Sequence, residues 1–111
     1  MAELNVFKTV AETIAITNDS IYAAPINYTG IVLSTQVANV DADSDVTLTF
    51  AYYDSANNAT ELLKDFTIPI GDAVNATAGK LVIQTGHHLK MQASKANSLK
   101  VVLGVLESLN G

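Results

Sequence analysis

Hydrophobic and polar residues alternate with a period of two along most of this chain, the pattern of half-buried β-strands. The clearest run sets Val46, Leu48, Phe50 and Tyr52 against Thr47, Thr49, Ala51 and Tyr53. The first set reads as the buried face, because a slip of one residue would bury two threonines and expose Leu48 and Phe50. Leu99, Val101, Leu103 and Val105 repeat the pattern near the C-terminus, interleaved with Lys100, Val102, Gly104 and Leu106. That second set is largely apolar, so this strand is expected to be covered on both faces by another element or subunit. Leu89, Met91 and Ala93 alternate with Lys90, Gln92 and Ser94; Ile31, Leu33, Thr35 and Val37 alternate with Val32, Ser34, Gln36 and Ala38.

Turn-forming residues punctuate these runs. Ala24-Pro25-Ile26-Asn27 precedes a strand over Tyr28–Val40, and Asp41–Asp45 separates it from Val46–Asp54. Ser55-Ala56-Asn57-Asn58 leads into Glu61–Ile70, closed by Pro69. Gly71–Gly79 reads as a longer loop with room for one helical turn. Lys80–Thr85 and His88–Ser94 flank Gly86-His87 as a short hairpin. Lys95-Ala96-Asn97-Ser98 turns into the last strand, and Leu4–Val10 and Thr13–Thr17 add two N-terminal segments. Only Ala59–Leu63 competes as a helix, and it is too short to stand alone. The expectation is an all-β chain: one antiparallel β-sandwich domain over 1–111, jelly-roll-like or Ig-like, of about seven to nine strands. Residues 1–17 are expected to be an N-terminal arm or an exchanged strand.

Composition narrows the function. The 111 residues are 49% hydrophobic, enough for a core without staples. Cysteine is absent, which removes disulfides, thiolate metal sites and cysteine nucleophiles. Every basic residue is a lysine, and the net charge is −5. Without the bidentate guanidinium fork, and with like-charge repulsion on approach, nucleic acid is not expected as a partner. Met1–Lys8 lacks a charged start followed by an apolar run, and no apolar stretch reaches the ~20 residues of a membrane helix. Synthesis in a cytoplasm and no membrane partner are therefore expected. Glycosylation-like triplets at Asn18, Asn27, Asn58 and Asn75 read as chance products of an Asn/Thr-rich surface.

Candidate chemistry is sparse. His87 and His88 are adjacent, so on a strand they point to opposite faces and cannot share one ion; they read as exposed turn histidines. Asp41, Asp43 and Asp45 begin a calcium-loop spacing, but the positions that need Gly and Glu hold Val46 and Tyr52. That loop reads as an acidic connection. No Gly-x-Ser-x-Gly elbow, acid–base pair or phosphate loop is present, so no catalytic, cofactor-binding or metal-binding residue is assigned and no enzyme is expected. Tyr53 is expected to face outward beside an inward Tyr52, as an interface anchor or a ligand platform. Together with Val102 and Leu106 it is a candidate interface residue.

From Ile21 onward an ordered series of stretches resembles the short virion proteins of tailed bacteriophages, notably those infecting marine cyanobacteria. It comprises Ile21-Tyr22-Ala23-Ala24-Pro25, Tyr28-Thr29-Gly30-Ile31-Val32-Leu33, Glu61–Pro69, Gly79–Ile83, Gly86, Leu89-Lys90, Ala93-Ser94 and Leu99–Glu107. His87-His88 departs from that pattern, in which a small or acidic residue follows the glycine. The resemblance implies a β-sandwich displayed in many copies on the virion, as capsid decoration or as a neck or tail component. Its implied partners are copies of itself and other virion proteins, such as the major capsid or neck and tail proteins. It carries over no catalytic residue. The rival expectation is an adhesin-like or carbohydrate-binding sandwich using the loops at Asp41–Asp45 and Gly71–Gly79. Exposed aromatics in one shallow groove would favour that rival, and a flat apolar patch would favour assembly.

Overall fold

The computed structural model describes residues 5–77 and 79–110. The expected strand start at Leu4 and the first four residues of the expected arm lie outside them, as does Ala78 of the expected loop. The nine strands are β1 (Asn5–Thr13), β2 (Asp19–Ala23), β3 (Tyr28–Asn39), β4 (Val46–Tyr53), β5 (Ala59–Ile68), β6 (Ala73–Asn75), β7 (Leu81–Ile83), β8 (His88–Ala93) and β9 (Leu99–Leu109).

Their pairing is nested. β4 pairs with β5 across a turn in which the Asp54 carboxylate accepts from the Ala56 and Asn58 amides and Asn57 adopts a left-handed φ of 63°. Working outward from that tip, β3 pairs with β6 and β7, β2 with β8, and β1 with β9, all antiparallel. The chain is thus one long hairpin, rolled so that its pairs fall alternately into two sheets. Pairing of β3 with β9 and of β4 with β8 joins them side by side. Sheet A runs β1-β9-β3, with β6 and β7 along the far edge of β3; sheet B runs β2-β8-β4-β5. This order is a jelly roll, which decides between the two sandwich topologies expected.

The two inner faces make one core. Val46, Leu48 and Phe50 of β4 are fully buried, with Tyr52 packed at their end, in the expected register. Leu89, Met91 and Ala93 of β8 face them from the same sheet, and Leu99, Val101, Leu103 and Val105 of β9 close the core from sheet A. In β3 the alternation breaks. A β-bulge between Val32 and Ser34 shifts the phase, so Val32, Thr35 and Val37 point inward and Ile31 outward. The sequence grouping of Ile31 with Thr35 and Val37 is corrected accordingly.

Other corrections follow from pairing, which periodicity does not report. β7 and β8 are not a hairpin: β7 joins β3 in sheet A and β8 joins β2 and β4 in sheet B, so the Gln84–His87 turn crosses between sheets. The 71–79 segment contains strand β6 rather than a helical turn, and Ala59–Leu63 belongs to β5. The two N-terminal segments become one strand, β1, followed by a crossing at Ile14, buried and bonded to the Leu99 carbonyl. β2 lies further on than expected.

Three substitutions test this core. Phe50→Ala is expected to cost ~3–5 kcal/mol in a urea titration, whereas Thr49→Ala, on the outer face, should cost under ~1 kcal/mol. Thr35 sits buried on the inner face of β3, and among the described residues its hydroxyl has no hydrogen-bond partner. Thr35→Val, which removes that hydroxyl at nearly constant shape, should stabilise the fold by ~1 kcal/mol; a loss of stability would show a partner for it.

Candidate interaction surface

Register on sheet A assigns the outer face residue by residue. Val105 points inward, so Leu106 points outward, and its neighbours across the sheet are Phe7 on β1 and Ile31 on β3. Ile31 in turn faces Val82 on β7. Phe7, Leu106, Ile31 and Val82 therefore form one apolar row crossing all of sheet A. Phe7 is 76% exposed and Val82 52%. The next row down is low: Thr9, Gly104 and Ser34. A methyl group at Gly104 would meet the Ser34 hydroxyl at 3.2 Å, a tight contact to which that hydroxyl would have to give way. The third row holds Ala11, Val102 and Gln36, with Val102 47% exposed. A depression of about 340 Å³ opens beside Val102, lined also by Ser34, Gln36, Ala73 and Asn75. In these rows and the flanking ones, Lys100, opposite Thr13 and Ala38, is the one charged side chain.

Sheet B presents a different surface. Its outer face carries Thr47, Thr49, Gln92, Lys90, His88 and Tyr53. Tyr53 does point outward, but it is engaged within the chain. Its ring stacks on His88 (5.4 Å, 10°), Lys90 Nζ lies 4.7 Å above it, and Asn18 Nδ2 donates to its hydroxyl at 2.8 Å. His87 meets Tyr52 instead, edge to face at 5.5 Å with a 2.7 Å bond between the Tyr52 hydroxyl and His87 Nδ1. The histidines are thus half-buried packing partners of two tyrosines on opposite faces, not exposed turn residues. Burial, with Lys90 nearby, pushes His88 below its usual pKa, towards the neutral ring. Val102 and Leu106 share one face, and Tyr53 lies on the other sheet.

Two polar clusters fix the sandwich around these faces. Glu107 points inward from β9 and is 3% exposed. Tyr22 donates to its Oε2 at 2.7 Å and Lys8 Nζ approaches its Oε1 at 3.1 Å, which ties β1, β2 and β9 together. Burial, reinforced by the carboxylate, holds the Tyr22 hydroxyl well above the ordinary phenol range. The Tyr22 ring covers Gly30, where any side chain would overlap it. At the opposite end Asp41 binds Lys95 Nζ at 2.7 Å, accepts the Asp43 and Ser44 amides, and accepts the buried Ser98 hydroxyl at 2.9 Å. Asp45 instead caps the Ile70 amide. The Asp41 and Asp45 carboxylates thus take separate partners, and among the described residues no three metal-ligating side chains converge. A cleft of about 400 Å³ between β5 and residues 75–77 and 79–81 is lined by Leu62, Leu63, Ala76 and Leu81 among others, with Lys80 the one titratable side chain among its described residues.

No family model matches the sequence, and no curated protein matches it. The fold has clear counterparts among solved structures. The acid-stable capsid of Helicobacter pylori bacteriophage KHP30 aligns over 100% of this chain and 92% of its own, with TM-score 0.58 and 13% identity. A subunit of the disulfide-linked pili that form Bacillus endospore appendages aligns over 96% and 88%, with TM-score 0.57 and 12% identity. A protein of infectious bursal disease virus matches over 98% of this chain and 34% of its own, with TM-score 0.53 and 12% identity. At such identities the likeness is one of fold.

Asp41 yields a pH prediction. The Lys95 bond, then the Asp43 amide and the Ser98 hydroxyl, hold its carboxyl well below the usual carboxylate range. An unfolded chain therefore binds the proton first as pH falls, so the stabilisation is complete above pH ~5 and is lost progressively below it. Asp41→Asn should flatten the acid limb of a melting-temperature profile between about pH 5 and pH 2. Parallel limbs for the two proteins would show that the latch does not carry it.

Proposed function

We propose that this chain is a non-enzymatic structural protein of a bacteriophage virion, present in many copies as capsid decoration or as a neck or tail component. The observation that carries this reading is the apolar outer surface of sheet A, crossed by the Phe7–Leu106–Ile31–Val82 row. A monomer gains nothing from leaving Phe7, Val82 and Val102 in water on one face while the opposite face is polar. The jelly roll supports the reading, since proteins of a phage capsid and of a pilus share it over nearly their whole length. Copies of this chain and other virion proteins, such as the major capsid protein, are its partners in this reading. Exchange of the N-terminal strand belongs to the same proposal: β1 lies along β9 of its own chain, and a neighbour's β1 would find the same register there.

The rival carbohydrate-binding reading needs exposed rings in one groove. Here Tyr52 and Tyr53 are occupied by the histidines, while Phe7 and Phe66 are exposed on different sheets. The test is mass spectrometry of purified particles of the encoding phage, with peptide intensities scaled to the major capsid protein. A multi-copy component of washed particles is expected. A chain abundant in the lysate and absent from the particles would overturn the proposal.

A further inference from the structure

We propose that the outer face of sheet A packs against the same face of a second copy of this chain, as a sheet-on-sheet dimer. The inference rests on the structural-protein reading and names the partner of its interaction surface. Three properties of the face select a second copy.

The relief is self-complementary. The bulky row from Phe7 to Val82 stands beside the low row of Thr9, Gly104 and Ser34, with the depression next to Val102 beyond it. Under a two-fold axis the ridge of each copy enters the low ground of the other, as an isologous interface requires. Inner faces of stacked sheets interdigitate in this way at a spacing of about 10 Å.

The charge is also right for a like partner. The chain carries a net charge of −5, so two copies repel through most surfaces. Among the paired positions of these rows this face carries only Lys100, at the edge remote from the Phe7 row, so two copies meet there without opposing like charges at the centre. A partner recognised by charge would find nothing to complement.

The area suffices. Nine residues of strand at ~3.3 Å each, across four strand widths of ~4.8 Å, give a projected face on the order of 600 Å². Side-chain relief raises that towards the roughly 800 Å² per partner of a standard stable interface.

Light scattering coupled to size exclusion, over a dilution series of the purified full-length protein, tests the proposal. Wild type is expected as twice the chain mass or another even multiple. Val82→Lys combined with Val102→Lys, both at exposed positions, should give monomers with an unchanged β-type circular dichroism spectrum. Gln92→Lys, exposed on the outer face of sheet B, should leave the mass unchanged. Thr9→Lys places a charge in the low row from the exposed edge strand, and should also give monomers if the double variant proves poorly folded. Wild type that is monomeric throughout, or an even oligomer that survives both face variants, overturns the dimer. A monomer that is still a component of phage particles would sink the dimer alone, and the face would belong to another virion protein. A dimer missing from the particles would sink the structural reading and leave the dimer standing.

Discussion

The antiparallel ladder between β3 and β9 sets the position of nearly everything else in this molecule. It occupies the centre of sheet A and fixes which side chains of both strands look inward. With Leu103 opposite Thr35 and Val101 opposite Val37, the core of sheet A is settled, and Val102 and Leu106 can only face out. The same parity turns Glu107 inward to meet Tyr22 and Lys8, which pins the edge strand β1 and the crossing to sheet B. The bulge after Val32 is what lets β3 keep a buried residue at both ends of this long ladder. A buried carboxylate without such partners would be costly, so the N-terminal strand is held by chemistry as well as by its backbone ladder.

One consequence is an asymmetry between the outer faces. Sheet B ends in threonines, a glutamine, a lysine and an aromatic pair already engaged with each other. Sheet A ends in a ridge of phenylalanine, leucine, isoleucine and valine beside a trough of small residues. Burial forces the inner faces to be apolar, and nothing in the folding of one chain requires the same of an outer face. In the proposed reading the ridge serves association rather than folding, and the shared jelly roll supports that reading without deciding it. The fold alone hosts many functions.

How much of this was legible in the sequence depended on whether the signal was local. The strands β4, β8 and β9 and their buried faces were read directly from alternation, and Val102 and Leu106 stood out because they are apolar where polar residues were due. Partner choice was not local. Gly86-His87 between two apolar runs looks the same whether the flanking strands pair or part to opposite sheets, so the β7–β8 hairpin was misread. The bulge in β3 leaves no mark on composition, and a three-residue strand such as β6 is shorter than any periodicity. Phe7, Ile31 and Val82 were unremarkable one at a time. They became a row only through the register of four strands. The histidines were misjudged for the same reason, since their tyrosine partners lie some 35 positions away.

Hydroxyl-radical footprinting read by mass spectrometry tests the central claim, that the Phe7 ridge is an interface, most directly, because it reports side-chain exposure at that ridge without altering it. Comparing dilute and concentrated protein, oxidation of Phe7 and Leu106 should fall with assembly, while that of Ile26, exposed at the end of the sandwich, stays constant. Equal oxidation of Phe7 at every concentration, and in the particle-bound protein, would contradict the account.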